Sequence, residues 1–464
     1  MGAVFLLSSL TVMPEVRLPY PIAKIKSKGQ GFLTYFQLPP YRIDYKYNVK
    51  IGAEKMDGLL ERFLKYVAID TRADNDSSNW PSSKGQLELA LLLKEELEAI
   101  GMTEVTLDNY GYVMACLPKN TEKNIPVIGF LAHLDTAAEF KGDNIQPKII
   151  DDYRGGDIVL NEEAQILFTT EEFPNLNNYI GKTLVVTDGQ TLLGVDDKAG
   201  VAEIMTAMDY LIRHPEIRHG EIRVAFTPDE EIGRGPWRFD LELFKADFAY
   251  TMDGGPIGEI QYENFNAASA TLTFKGSNIH PGHAKDTMKS ALWRAMEFHQ
   301  ALPRFESPQF TDGYEGYYHL MNFTGDVESA RMVYYIRDFN KQGFEHRKGY
   351  IKKTVEELQK QYGIDTISLS LADVYYNMRE LMDEKSQILE IPKSAMKNLG
   401  VDPIVTPIRG GTDGAQLSYK GMLTPNLFIG GENFHGKFEF AAIEDMKLAA
   451  FLIVEIARLF EERE

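Results

Sequence analysis

From Met56 onward, apolar residues recur every three to four positions. DGLLERFLKYVAID therefore predicts an amphipathic helix. SSKGQLELALLLKEELEAIG repeats that pattern and stops at Gly101, a residue suited to the left-handed end of a helix. The period then shortens, and TEVTLDN, YGYVMACL and IPVIGFLA predict strands. The last is a continuous apolar run, the pattern of a strand covered on both faces of a parallel sheet. Residues 137–190 read as a long irregular insert punctuated by KGDN, YRGGD and FPNLNN, and a segment of that length beside a candidate site is expected to serve function. TLLGVDDKAGVAEIMTAMDYLIRH is a loop entering a helix, while EIRVAFTPDEE and ADFAYTMDGG each read as a strand ending in a polar turn. Strands alternating with helices predict a doubly wound α/β domain.

Near Asn264 the rhythm changes. ASATLTFKG is a strand, HAKDTMKSALWRAMEFHQAL a helix, YYHLMNFTGDVESARMVYYIRDF a hairpin, FEHRKGYIKKTVEELQKQYG a helix and TISLSLADVYYN a strand. That order, β-α-β-β-α-β, is the ferredoxin-like unit. The prediction is a catalytic domain over 56–263 and 380–464, interrupted by a small domain over 264–379. Residues 1–55 are rich in Pro, Tyr, Lys and Arg, show no steady period, and are expected to be poorly ordered and outside the main fold. Their first stretch, MGAVFLLSSLTV, lacks a basic n-region and a clear cleavage site, so it makes a poor signal peptide.

Charge narrows the partners. A formal net charge of −19 repels phosphate backbones and anionic membranes, so neither nucleic acid nor membrane is expected as a partner. Part of that charge is what a metal site contributes when counted without its ions. The most apolar helix pattern, AAIEDMKLAAFLIVEIARLF, carries Glu444, Asp445, Lys447, Glu455 and Arg458 and reads as packed against the fold, not as a membrane span. Cys116 is the only cysteine, which rules out an intramolecular disulfide and fits a reducing, cytoplasmic setting.

Polar groups sit where the apolar runs stop. His133 and Asp135 occupy alternate positions after IPVIGFLA, on one face if the strand continues. Asp196 and Asp197 precede a helix, Glu230 and Glu231 follow a strand, Asp253 ends another, and His435 lies before the last helix. Each has an ordinary alternative: a core histidine bonded to its neighbour, an N-cap, a solvated turn, a turn former before Gly-Gly. Together they supply two imidazoles and several carboxylates from separate elements, a mixed N/O set that suits zinc, cobalt or manganese. Five ligands exceed one tetrahedral zinc and suit two metals about 3.5–4 Å apart sharing a carboxylate.

The motifs AHLDT, LLGVDDKAG, TPDEEIGRG, YTMDGG, ENFNAAS, IHPGHAKD, IRGGTDGAQLS and GGENFHGKFEF resemble the peptidase T family of tripeptide aminopeptidases. That family belongs with the dinuclear zinc metallopeptidases that include glutamate carboxypeptidase G and acetylornithine deacetylase. The resemblance runs from about Met56 to Glu464; IHPGHAKD departs from the pattern in carrying His283 where a smaller residue is expected. It implies a lid that also dimerises, two Zn2+ per subunit with Co2+ or Mn2+ as substitutes, and a short peptide substrate. It implies that His133 and Asp253 bind one metal, Glu231 and His435 the other, and Asp196 both. Asp135 would orient the imidazole of His133, and Glu230 would be the general base. Asp197 is expected to support the loop or cap the helix. Substrate contacts implied more weakly are His280, reaching from a partner subunit, with Arg337, Arg409 and Asn266; Gly410 and Gly411 also join the pocket. His280 also reads as a turn residue before Pro281, and Arg337 as a partner of Asp338. Alternatives of function are a carboxypeptidase or N-acyl amino acid deacylase of the same family, or a non-catalytic metal- or peptide-binding protein on the same fold. A two-metal phosphoesterase would need basic residues beside the ligands.

Overall fold

In the computed structural model, which describes residues 56–463, the two amphipathic patterns are the helices Leu59–Val67 and Lys84–Ile100. The expectation for residues 1–55 lies outside the described residues. The second helix ends on Gly101 at φ 100, the left-handed turn that glycine adopts without strain.

The strands assemble into an eight-stranded sheet in the order Thr103–Leu107, Val113–Leu117, Ile222–Thr227, Ile128–His133, Phe248–Gly254, Asn426–Phe428, Glu259–Gln261, Ile404–Val405. Its centre is parallel: Ile128–His133 pairs with Ile222–Thr227 on one side and Phe248–Gly254 on the other. Both faces are covered, which explains the unbroken apolar runs. Phe130, Val224 and Tyr250 pack into the main core with helices Val195–Arg213 and Ile443–Arg463. Leu131, Ala225 and Ala249 pack oppositely against Phe239, Phe244 and Leu417. The carboxyl ends of the parallel strands converge on one edge, where open α/β sheets place their ligand crevice. Among the described residues no helix is long and apolar enough to cross a membrane.

The small domain is an antiparallel sheet ordered Tyr317–Gly325, Ser329–Asp338, Asn266–Lys275, Ile367–Tyr375. Helices Ala291–Ala301 and Lys341–Tyr362 cover one face. This is the ferredoxin-like order, inserted as a lid in the catalytic α/β domain.

The insert differs from its sequence reading. Residues 137–190 contain short strands Lys148–Ile150, Ile158–Asn161, Ile166–Phe168 and Leu184–Val186, and a core of their own that includes Leu160, Phe168 and Tyr179. Strands of three or four residues are too short for alternation to register. Two of them join Gly431–Glu432 and Phe440–Ala442 in a separate four-stranded sheet.

Helix Val195–Arg213 carries Glu203 into the core with neither carboxylate oxygen hydrogen-bonded. Burial pushes its pKa well above the carboxylate range. A folded pKa above the unfolded value of about 4.3 means that stability is lost as pH rises from there toward the folded pKa. Glu203→Met should therefore stabilise the chain by about 1–3 kcal/mol near neutral pH, with the gain shrinking toward pH 4. Urea unfolding at a series of pH values checks this; a gain that does not depend on pH would contradict it.

Candidate metal centre and active site

Each cluster is delivered by the end of a different element. His133 ends its central strand, and Asp253 lies one residue before the end of the neighbouring one. Asp196 sits in the turn into helix Val195–Arg213, where Gly194 takes φ 81. Glu230 and Glu231 follow Ile222–Thr227, and His435 lies on the loop between Gly431–Glu432 and Phe440–Ala442.

These ends meet. Asp196 lies between the imidazoles, with Oδ1 2.8 Å from His133 Nε2 and Oδ2 3.3 Å from His435 Nε2. Asp253 Oδ1 is 3.5 Å from His133 Nε2, and Glu231 Oε2 is 3.2 Å from His435 Nε2. Two groupings bring ligand atoms within 4.8 Å of one another: His133, Asp196 and Glu231, and His133, Asp197 and Asp253. Asp197 differs from Asp196 in being fully buried with Oδ2 accepting the backbone N–H of His133 at 2.9 Å. It braces the strand end, while Asp196 faces both histidines.

The residues present fit a cation. His133 Nδ1 lies 3.0 Å from the carbonyl of Asp135, which can only accept, so Nδ1 carries the hydrogen. A neutral ring then turns the Nε2 lone pair toward the Asp196 carboxylate, two acceptors facing each other unless a proton or a metal lies between. Desolvation pulls His133 down, but hydrogen bonds to Asp135, Asp196 and Asp253 outweigh it and raise the ring well above its usual range. Burial pushes Asp253 up to about 6 and Glu231 well above the carboxylate range. Glu231 Oε1 is buried with no hydrogen-bond partner. Among the described residues the ion-pair partners of Asp196, Glu231 and Asp253 are the two histidines alone. Buried carboxylates so outnumbering their cations are costly unless metal neutralises them.

A second layer of carboxylates grips the backbone of these turns. Asp135 accepts the N–H groups of Glu230 at 2.9 Å and Glu231 at 3.0 Å, and its Oδ1 lies 3.4 Å from His133 Nδ1. Glu439 accepts the N–H groups of Leu193, Gly194 and Asp196 at 2.9, 2.7 and 3.1 Å. Asp229, at φ 60, takes Ser82 N–H at 2.9 Å and Gln86 Nε2 at 2.8 Å, fixing the turn before Glu230. Sequence reasoning missed Glu439 and Asp229, although both lie inside the motifs GGENFHGKFEF and TPDEEIGRG. Glu230 is raised well above its usual range by burial, with Asp253 and Asp413 adding, and its Oε1 accepts the Asp413 N–H at 3.2 Å.

The candidate substrate residues part company. Arg337 lies between the rings of Tyr335 and Tyr375, 5.2 and 5.1 Å from their centroids, with Nη1 buried and unpartnered. It does not take Asp338, which pairs with Arg347 at 2.8 Å. Burial pushes the Tyr375 phenol up to about 12, Arg337 pulling it down and Glu230 pushing it up, so this ring lies within the field of both groups. The loop carrying Gly411 passes so close to Tyr375 that a Cβ on Gly411 would lie 2.5 Å from its ring. Arg409 donates through its Nη groups to the carbonyls of Thr311, Gly313 and Glu315, linking its loop to the lid. Asn266 bonds within the lid. It is 1% exposed, donates to the carbonyls of Asp338 and Phe339, and accepts from Asn377 N–H, so it ties the lid to its return strand. His280 is exposed on the lid, where its Nδ1 accepts from Gly282 N–H at 3.1 Å; no hydrogen bond or ion pair among the described residues joins it to the cluster.

The family model of the peptidase dimerisation domain matches residues 262–366. A protein of Geobacillus thermodenitrificans named peptidase T is 58% identical over 405 residues, covering 87% of this chain and 98% of its own. A peptidase T of Listeria welshimeri is 58% identical over 406 residues, covering 88% of this chain and 99% of its own. Among solved structures, aminopeptidase PepT of Bacillus cereus superposes with a TM-score of 0.69 at 23% identity, covering 88% of this chain and 99% of its own. A tripeptidase of Staphylococcus aureus gives the same TM-score, 0.69, at 20% identity over 88% of this chain and 99% of its own, a likeness of fold. With a site built from the ends of separate strands and relatives matched over nearly their whole length, the chain belongs to the peptidase T family.

Proposed function

We propose that this chain releases the N-terminal residue from tripeptides at a site completed by two divalent cations, zinc by preference. The observation that carries the reading is the carboxylate of Asp196 set between His133 and His435 at 2.8 and 3.3 Å, with Asp253 and Glu231 at the two ends. His133 and Asp253 would hold one cation, Glu231 and His435 the second, and Asp196 both. When bound, such a pair polarises a scissile carbonyl and lowers the pKa of coordinated water to about 7.

The rest belongs to the chain. Glu230, partly buried and held by Asp413 N–H, takes a proton from the attacking water and returns it to the leaving amine. Asp135 keeps Glu230 and Glu231 in register by gripping both backbone N–H groups, and its carbonyl fixes the His133 ring. Arg337, with an unpartnered buried Nη1, receives the carboxylate at the far end of the peptide. His280, exposed on the lid, would serve the site of a partner subunit, and the match to a dimerisation domain supports that arrangement. A single cysteine suits the reducing cytoplasm.

The test compares substrates. Tripeptides should be cleaved faster than dipeptides or N-acyl amino acids; faster turnover of the acylated compounds would favour the deacylase alternative. Arg337→Leu removes a charge-assisted contact of about 1.5–3 kcal/mol, so KM for tripeptides should rise about 10–100-fold with kcat little changed. An unaltered KM would remove Arg337 from the substrate site.

A further inference from the structure

We infer that the insert spanning residues 137–190 is a clamp that holds His435 in place and so sets the affinity of the second cation position. The inference rests on the two-cation reading. The two halves of the site are built unequally. His133 and Asp253 ride on central strands of the large sheet, and His133 is 3% exposed. The side chain of His435 is 43% exposed and rides on a loop.

That loop is strained. Asn433 and His435 adopt φ 60 and φ 63, left-handed conformations that cost non-glycine residues about 1–3 kcal/mol each. Such a loop persists only when its surroundings over-determine it. Within itself the loop has Asn433 Nδ2 to the Phe438 carbonyl at 3.3 Å and Glu439 N–H to the Gly436 carbonyl at 3.2 Å. Glu439 ties its far end to the N–H groups of Leu193, Gly194 and Asp196, and the insert grips its entry. Asn175 Nδ2 donates to the carboxylate of Glu432 and, at 3.1 Å, to Asn433 Oδ1, while the Tyr179 hydroxyl donates to Glu432. Among the described residues these are the hydrogen-bond donors to the Glu432 carboxylate. Phe173 packs on Phe438 with ring centroids 4.8 Å apart, and the insert strand Leu184–Val186 pairs with Phe440–Ala442. The insert therefore grips the loop at its entry and its exit, alongside the hold of Glu439 on Leu193, Gly194 and Asp196, and contributes no ligand of its own.

The test is a calorimetric zinc titration of the metal-free chain and of the double variant Asn175→Ala, Tyr179→Phe, with thermal unfolding of both metal-free forms. Phenylalanine keeps the ring that packs beside Phe440. The wild type should show two sites. In the variant the weaker site should lose about 10–100-fold in affinity, the usual effect of removing a partner behind a ligand. The tighter site and the Tm should stay near wild type. Two sites of unchanged affinity would overturn the clamp. So would equal weakening of both sites with a fall in Tm, which would mean that the insert merely stabilises the fold. A wild type that binds one cation would overturn the two-cation reading and the clamp with it.

Discussion

Replacing Glu230 by alanine should leave the chain folded and loaded with its cations while kcat for tripeptide cleavage falls by about 10²–10⁴-fold, the range for a lost general base. Adjacent glutamates make the experiment sharp. Glu231 points its Oε2 at His435 at 3.2 Å, whereas Glu230 Oε1 accepts the Asp413 N–H and takes no part in the ion pairs of the histidines. The backbone of both residues is fixed from behind by Asp135, so truncating Glu230 at Cβ leaves the turn in place. Cation content should equal that of the wild type, and KM should change little. The pH profile gives an independent check. A base must be unprotonated to act, so the wild-type rate should rise with pH through the pKa of Glu230, and the variant should lose that limb. A variant that keeps near-normal kcat, or one that loses its cations, would remove Glu230 from the role.

Asp196→Asn should have the larger effect on metal. The substitution preserves shape but removes the charge that faces both imidazoles at 2.8 and 3.3 Å. The loss in affinity should exceed the about 10–100-fold expected for a partner behind a ligand, at both positions together, and cleavage should fall to background. Asp197→Asn is the natural comparison. Its Oδ2 accepts the His133 N–H, so its loss should act through the placement of one ligand and weaken one position more than the other. Equal cation uptake by the Asp196 variant and the wild type would exclude Asp196 as the shared ligand.

Much of this was legible in the sequence because hydrophobic period carries it. The continuous run IPVIGFLA predicts a strand covered on both faces, and it sits between two parallel neighbours. The lid was legible from the order of its elements alone. What escaped were features closed by distant residues. The insert strands of three or four residues complete their core with Phe440, far along the chain, so no local window reveals them. Glu439 and Asp229 act on backbone N–H groups, which the identity of a residue does not advertise. Asn266 and Arg409 are the right types for substrate contacts, and both also bond within the protein, Asn266 to the carbonyls of Asp338 and Phe339 and Arg409 to those of Gly313 and Glu315, which residue type does not reveal. Arg337 is the reverse case: Asp338 beside it suggested a pair, and Arg347 took that partner. A residue type predicts what a group can do; whether its bonds are still open is decided by packing.

The most direct test of the central claim is the cation content of the purified chain, measured beside tripeptide cleavage before and after chelation. The account predicts about two divalent ions per chain. It also predicts loss of cleavage when they are removed from a chain that stays folded, and recovery when zinc is returned. Cleavage at full rate from a chain stripped of metal would contradict it.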